Sequence, residues 1–296
     1  MSKSPISVVV PAYNEEDSIG SCIDHLESQD YPEDIEIIII DNNSSDSTAT
    51  IVKNRDAKLV IETNKGSYAA RNKGIQEASY DIIAFTDADS CPPDDWISNG
   101  VSQINSGYKV VTGPIQFSQT SYETLAAKYD IATGFKGKGL KTANLFVEKN
   151  VFKSIGKFNQ NLISGGDVEW GNRVNKSEYE MYYSKDVVVE HPPRKNFREL
   201  MGKSIRTGYG AGQKDRMQSK NAYSSNICLR LIRTIPRPLI QTGWKVKIIY
   251  RNMNPFTKQG ILFTILTFCL NLYSYYGYIH GYLDGVNVDR VGDYGD

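Results

Sequence analysis

The N-terminal third of the chain alternates between short apolar runs and longer segments with helix-like patterning. Four apolar runs predict β-strands: Ile6–Val10, Ile35–Ile40, Lys58–Glu62 and Asp81–Phe85. The segments between them predict three helices: Asp17–Ser28, Ser47–Asn54 and Ser67–Ala78. Short apolar strands separated by helices are typical of a parallel sheet that is buried on both faces. The pattern therefore predicts an α/β fold.

The rest of the chain has a more mixed pattern. Lys109–Gly113 and Val187–Glu190 predict two more strands, and the chain from Asn196 onward is expected to be mainly helical. Ile261–Leu272 is strongly apolar and is followed by a tyrosine cluster that begins at Tyr273. The run is shorter than the ~20 residues that a membrane-spanning helix needs, and tyrosine favours the membrane–water interface.

Polar clusters follow three of the predicted strands directly. These clusters are Pro11–Glu15, Asp41–Asp46 and Thr86–Asp89. In open α/β sheets, ligands bind beyond the carboxyl ends of the strands. Because the carboxyl ends of parallel strands lie at one edge, the three clusters point to a single site.

The sharpest local feature is the pair of carboxylates at Asp87 and Asp89, separated only by Ala88. Two carboxylates placed in this way after a strand can hold a hard divalent cation together with phosphate oxygens. An EF-hand calcium loop is excluded, because the glycine that it requires is missing. The structural alternative is a turn that starts a helix near Pro92.

Four sequence motifs in this part of the chain occur in a characteristic order and spacing. They are Val8–Glu16, Ile39–Asp46, Ala69–Gly74 and Phe85–Asp89. In these motifs the segment from Ile6 to Trp96 resembles the family 2 glycosyltransferases. The resemblance continues more loosely to about His191. It implies a GT-A fold, in which a Rossmann-like sheet with helices on both faces binds a nucleotide sugar.

The resemblance also implies roles for individual residues. Nucleotide-sugar binding is expected at Pro11, Tyr13, Glu15, Asp41, Arg71, Asp87 and Ala88. Within this set, Asp41 would accept a hydrogen bond from the base. The metal ligands would be Asp89 and Asp87, with His191 completing the shell. The expected cofactor is Mn²⁺ or Mg²⁺, and an imidazole ligand suits Mn²⁺ better.

Ordinary structural roles remain open for several of these residues. Tyr13 could be a packing ring, Asp41 a turn residue and Arg71 a solvated helix residue. His191 could be a structural histidine, because a lone histidine in a sequence more often has that role.

A second acidic cluster lies in the segment Ser164–Arg173. It resembles the acceptor-site motif of the family, except that Gly166 stands where a glutamate is usual. By this resemblance Asp167 is the general base that takes the proton of the acceptor hydroxyl. Glu169 is the alternative if the alignment is shifted by two residues. The structural alternative is a helix N-terminus with favourable acidic residues.

Charge is distributed unevenly along the chain. The whole sequence holds 34 basic and 34 acidic residues. The basic segment, Arg194–Lys258, holds 15 Lys or Arg residues and two acidic residues, which gives a net charge of about +13 by subtraction. Together with the apolar run that follows, this favours attachment to an anionic membrane surface. A solvated basic face, a buried helix or a dimer contact are the alternatives.

The four cysteines and the N-terminal sequence indicate in which cellular compartment the protein is expected. The cysteines are scattered and form no CxxC pair, so neither a zinc site nor a disulfide framework is indicated. No secretory signal pattern is present at the N-terminus. The expected location is the cytoplasm, at the cytoplasmic face of a membrane.

The resemblance, together with these observations, implies an inverting, metal-dependent glycosyltransferase. Residues 1–193 would form the catalytic domain, and residues 194–296 a mainly helical C-terminal extension. The donor would be a nucleotide-diphosphate sugar, with a UDP-sugar favoured, and the acceptor a saccharide or a lipid-linked hydroxyl. No nucleic-acid partner is expected. The alternatives are a nucleotidyltransferase, which would need a glycine-rich basic loop at 11–16, and a catalytically degenerate binding protein, which Gly166 favours.

Overall fold

The structure is a computed structural model that describes residues 4–118, 123–135, 137–219 and 258–284. The strands are β1 Ile6–Ala12, β2 Ile35–Asp41, β3 Lys58–Ile61, β4 Ile82–Phe85, β5 Val110–Thr112, β6 Ile115–Phe117, β7 Leu145–Glu148, β8 Met181–Tyr183 and β9 Val189–His191. The helices are α1 Ile19–Glu27, α2 Thr48–Lys53, α3 Ser67–Glu77, α4 Trp96–Asn105, α5 Leu125–Thr133, α6 Lys149–Ile155, α7 Gly166–Val174, α8 Phe197–Ser219 and α9 Lys258–Asp284.

The central sheet has seven strands in the order β3-β2-β1-β4-β7-β5-β8. The four N-terminal strands pair in parallel, as the sequence predicts. The sequence predicted no strand at β7, which is antiparallel to both β4 and β5. The reason for the antiparallel direction is topological: β5 ends at the carboxyl edge, and the chain re-enters the sheet from that same edge. A smaller parallel sheet pairs β6 with β9.

The core of the sheet explains why the apolar runs form strands. Every residue of β1 from Ile6 to Val10 is buried, so both faces of this strand are covered. On one face, Val8 and Val10 belong to the same apolar cluster as Ile23 of α1 and Trp96 of α4. This burial on both faces fits the continuous apolar pattern of β1 and β2.

On the other face, α3 approaches β1 closely at Gly74. A Cβ atom at this position would lie 2.2 Å from Cγ1 of Val9, so only glycine allows this spacing. Asn72, also on α3, donates its side-chain amide to the carbonyl of Phe158 at 2.8 Å and accepts from the Phe158 N–H at 3.0 Å. The position of α3 is therefore fixed from two sides.

The described chain divides into two compact units, Met1–Ser118 with Gly137–Gln160 and Gly166–Pro192, and Gln119–Lys136 with Asn161–Gly165 and Pro193–Asp296. The first contains both sheets, and the second contains α5, α8 and α9. The sequence-based division into domains 1–193 and 194–296 stays a prediction.

The second unit is built on a close pair of helices, α8 and α9. A Cβ atom at Gly208 would lie 1.8 Å from the carbonyl oxygen of Ser274, and one at Gly212 would lie 2.1 Å from that of Tyr278. The glycines therefore let the two backbones touch. Among the described residues, no helix combines the length and the apolar character that crossing a bilayer would require. Residues 220–257 of the basic segment lie outside the described residues.

Candidate active site

The loops that follow β1 and β2 are hydrogen-bonded to each other. The backbone N–H of Asn14 donates to Oγ of Ser44 at 2.9 Å, and that of Glu15 donates to Oγ1 of Thr48 at 2.8 Å. Asn14 has a φ of 52°, in the left-handed region that asparagine tolerates better than most residues. The two polar clusters are thus brought together, as expected from their positions at strand ends.

Asp41 is buried at the end of β2, with 3% of its surface exposed. Its Oδ1 accepts hydrogen bonds from the backbone N–H and the hydroxyl of Ser44. The carboxylate therefore has the turn role that the sequence left open. Both of these hydrogen bonds are to Oδ1, so Oδ2 can accept a hydrogen bond from a ligand.

Asp87, Asp89 and His191 form a cluster whose ligand atoms all lie within 4.8 Å of one another. The imidazole Nε2 of His191 is 3.2 Å from Oδ2 of Asp89. Ala88 is buried between the two aspartates, whose side chains are 34% and 33% exposed. A small buried spacer thus holds both carboxylates at the surface.

A short backbone bridge brings His191 to the aspartates from far along the chain. The N–H of Cys91 donates to the carbonyl of Glu190 at 2.8 Å, and the N–H of Glu190 donates back at 3.3 Å. Cys91 follows the aspartate pair and Glu190 precedes the histidine, so two hydrogen bonds fix the distance between the two segments.

The ionisable groups of the cluster perturb one another. Burial raises the pKa of Glu15 to about 7, and although the hydrogen bond from Ser18 opposes this, the charges of Asp89 and Asp87 add to it. Burial lowers the pKa of His191, but the hydrogen bond and charge of Asp89 outweigh burial and raise it. A bound cation would relieve this concentration of negative charge.

The tautomer of His191 suits metal binding. Its Nδ1 lies 2.6 Å from the carbonyl oxygen of Pro192, which can only accept a hydrogen bond. Nδ1 therefore carries a hydrogen and donates the hydrogen bond. Nε2 is then directed toward Asp89 and is available as a ligand once the ring is neutral. Two carboxylates and an imidazole form a donor set that fits Mn²⁺ or Mg²⁺.

Arg71 is buried on α3, with 4% exposed, so the solvated-helix alternative is wrong. Its guanidinium forms an ion pair with Asp87 and donates to the carbonyl of Ser67 at 3.3 Å. Within the described part of the chain, its Nε has no hydrogen-bond partner although it is buried. The guanidinium can therefore donate to one more acceptor beside Asp87.

Pro11 and Tyr13 lie at and just beyond the end of β1. Pro11 is half-buried, whereas the ring of Tyr13 is 46% exposed. The packing-ring alternative for Tyr13 is therefore wrong.

At the start of α7, the two acidic candidates have different surroundings. Glu169 is held by Arg173 through two hydrogen bonds of 2.9 and 3.0 Å. Arg173 also donates to the carbonyls of Ile155 and Lys157, so the pair joins α7 to the end of α6. Asp167 is half-buried and forms no ion pair with any described residue, although the charge of Lys141 is near enough to interact with it. The surroundings favour Asp167 as the reactive carboxylate.

Sequence reasoning missed Tyr68, which contacts the start of α7. Its hydroxyl lies 2.9 Å from the backbone nitrogen of Gly166. The two residues are 98 positions apart, so no local pattern could have revealed the contact.

This chain is similar to several known proteins. Residues 7–159 match the family described as Glycosyl transferase family 2. The glycosyltransferase AglE of Haloferax volcanii is 35% identical over 251 residues, which covers 79% of this chain and 82% of the relative. A glycosyltransferase of Methanococcus voltae, whose name includes dolichyl N-acetyl-α-D-glucosaminyl phosphate, is 25% identical over 70% of this chain and 72% of its own.

Two solved structures share the fold. The mannosyltransferase PcManGT of Pyrobaculum calidifontis, in complex with GDP-Man and Mn²⁺, has a TM-score of 0.62 at 18% identity and covers 93% of this chain and 86% of its own. TarS 1–349 of S. aureus, in complex with UDP-GlcNAc, has a TM-score of 0.53 at 16% identity. The match covers 94% of this chain and 90% of TarS 1–349. The GT-A fold expected from the sequence is confirmed.

We predict that Asp89→Ala abolishes the binding of Mn²⁺ together with a nucleoside diphosphate, because it removes the carboxylate that contacts His191. Isothermal titration calorimetry with UDP and GDP in the presence of Mn²⁺ measures this. Asp34→Ala is the matched control, because Asp34 is exposed at the opposite, amino end of β2. Undiminished metal-dependent affinity in Asp89→Ala would contradict the assignment.

Proposed function

Since this chain belongs to glycosyltransferase family 2, we propose that it transfers a sugar from a nucleoside-diphosphate sugar to a hydroxyl acceptor and inverts the anomeric carbon. The main observation behind this proposal is the cluster of Asp87, Asp89 and His191 at the carboxyl edge of the sheet, with the buried Arg71 beside it. This edge is where α/β sheets bind nucleotides.

In the proposed donor site, the loops after β1 and β2 bind the nucleoside. Oδ2 of Asp41 accepts a hydrogen bond from the base, while Oδ1 is held by Ser44. Pro11, Tyr13 and Glu15 line the nucleoside pocket. Both solved relatives are described with a nucleotide sugar, one with a GDP-sugar and one with a UDP-sugar. We take a UDP-sugar as the donor of this chain.

The diphosphate is proposed to lie beside Arg71, Asp87 and Ala88. Asp89, Asp87 and His191 would hold a divalent cation, Mn²⁺ or Mg²⁺, which supplies positive charge to the diphosphate as it leaves. Nε of Arg71, which has no hydrogen-bond partner among the described residues, could donate a hydrogen bond to a phosphate oxygen. The buried position of Arg71 strengthens this interaction, because water screens it weakly.

Asp167 is the proposed general base. Its Oδ1 accepts from the N–H of Val168 at 2.8 Å, so Oδ2 is the oxygen that can take the proton of the acceptor hydroxyl. The hydroxyl oxygen then attacks the anomeric carbon on the face opposite the diphosphate. A single displacement of this kind inverts the configuration.

A nucleotidyltransferase would need a glycine-rich, basic loop at residues 11–16. These residues include neither glycine nor a basic residue, which argues against that alternative. The alternative of a catalytically degenerate protein rests on Gly166 alone. Release of nucleoside diphosphate from a panel of sugar nucleotides tests both.

We predict that Asp167→Asn lowers the rate of transfer by roughly 10²–10⁴-fold while donor affinity is retained, because an amide cannot accept the proton. Nucleoside diphosphate release measures the rate, and calorimetry measures donor affinity. Glu169→Gln is the paired variant, and it should keep transfer well above that of Asp167→Asn because Glu169 is engaged by Arg173. Transfer that persists in Asp167→Asn but is lost in Glu169→Gln would move the base to Glu169.

The acceptor is proposed to be a saccharide or a lipid-linked hydroxyl presented at the cytoplasmic face of a membrane. Support comes from α9, whose exposed face carries Ile261, Leu262, Ile265, Phe268, Leu272, Tyr273, Tyr276 and Leu283. No Asp, Glu, Lys or Arg residue occurs between Lys258 and Asp284. Such a face can lie in the interface of a bilayer.

The basic segment complements this face. Its net charge of about +13 would attract the chain to anionic lipids, at about 1 kcal/mol for each cation near the headgroups. This attraction is screened at high salt, whereas apolar burial is not. The two contributions can therefore be separated in one experiment.

We predict that the full chain co-sediments with anionic vesicles at both low and high salt. The variant Ile265→Ser/Phe268→Ser/Leu272→Ser should bind only at low salt, because it loses apolar contacts but keeps the charges. Ile61→Ser is the control, since Ile61 is an exposed apolar residue outside α9. If the unmodified chain stays in the supernatant at low salt, the membrane proposal is wrong.

A further inference from the structure

The hydroxyl of Tyr68 is placed at the first turn of α7. Its oxygen accepts from the N–H groups of Gly166 and Asp167 at 2.9 and 3.3 Å, and lies 3.4 Å from Oδ1 of Asp167. A hydroxyl has two acceptor lone pairs and one proton to donate. Because both lone pairs are taken by backbone N–H groups, the proton is directed at the Asp167 carboxylate.

The first turn of α7 is thereby satisfied by side-chain oxygens. The N–H groups at the start of a helix have no partners within the helix. Those of Gly166 and Asp167 are taken by Tyr68, and that of Val168 by Oδ1 of Asp167. The conformation of the Asp167 side chain thus depends on the same hydroxyl that caps the helix.

Gly166 and the ring of Tyr68 fit each other sterically. A Cβ atom at Gly166 would lie 2.7 Å from Cε2 and 2.8 Å from Cζ of the ring, closer than real contacts allow. A side chain at position 166 would therefore displace the ring and its hydroxyl. The glycine that departs from the family motif is the residue that this arrangement requires.

The ring of Tyr68 is itself held in place. It is 6% exposed, packs on Phe158 with ring centroids 6.0 Å apart, and has the Arg71 guanidinium 5.9 Å from its centroid. Burial raises the pKa of Tyr68 to about 12, with the charge of Asp167 adding to this and that of Arg71 opposing it. The phenol is therefore protonated, and able to donate, at neutral pH.

We propose that Tyr68 is the positioning residue for the general base: its hydroxyl orients the Asp167 carboxylate for the acceptor, and Gly166 provides the space for its ring. The inference rests on the proposed role of Asp167. It also accounts for Gly166 in an active enzyme. Tyr68 acts through Asp167 and has no contact with the reacting atoms.

The test is Tyr68→Phe, which removes the hydroxyl and keeps the ring on Phe158 and Arg71. We expect kcat to fall by roughly 10- to 100-fold, as when a reacting group is misplaced. Donor affinity and the donor KM should stay within about twofold, because the ring is retained. Tyr179→Phe is the matched control, since the Tyr179 hydroxyl bonds only to Oγ of Ser154 in the described structure.

A double-mutant cycle separates positioning from general structural damage. If Tyr68 acts only through Asp167, Tyr68→Phe should cause no further loss of kcat in the Asp167→Asn background. Multiplicative losses in the double variant would overturn the proposal. So would a Tyr68→Phe variant with unchanged kcat.

Gly166→Ala gives an independent check of the steric fit. We expect it to lower kcat to a similar degree as Tyr68→Phe while donor affinity is kept, because the added methyl displaces the ring. Unchanged kcat in this variant would contradict the fit. Failure of the base assignment itself is distinguishable, because Asp167→Asn would then transfer at the normal rate.

Discussion

Electrostatic repulsion among the carboxylates at the carboxyl edge of the sheet is the constraint around which the site is arranged. Burial raises the pKa of Glu15 to about 7, and the nearby charges of Asp89 and Asp87 add to this increase. Negative charge at this density has to be offset. Arg71 offsets part of it through Asp87, and His191 offsets part through Asp89. A bound divalent cation would offset more of this charge than either side chain does.

Helix α3 connects the proposed donor and acceptor sides. Arg71 and Tyr68 are three residues apart, so they lie on the same side of the helix. Arg71 contacts Asp87, and Tyr68 contacts the turn that carries Asp167. The close approach at Gly74 and the two hydrogen bonds of Asn72 fix this helix. Residues that are proposed to act on the donor and on the acceptor are thus held by one rigid helix.

The sequence predicts the parts of this arrangement that depend on local pattern. The strands β1 to β4 have continuous apolar runs, and the polar clusters follow them directly, so the shared edge could be inferred. The antiparallel direction of β7 could not be inferred, because it depends on the path of the chain between β5 and β7 and not on the residues of the strand. The contact of Tyr68 with Gly166 joins residues 98 positions apart. Glu169 and Arg173 form a helical i, i+4 ion pair, and this spacing is visible in the sequence itself.

The central claim is that Asp89 and His191 hold a cation on the donor diphosphate. Crystals grown with Mn²⁺ and either UDP or GDP would locate manganese by its anomalous scattering. The account predicts a peak that is coordinated by Asp89 and His191 and by oxygens of the diphosphate, with Arg71 beside the same phosphates. A nucleotide bound at this edge with manganese elsewhere, or with no manganese at all, would contradict it.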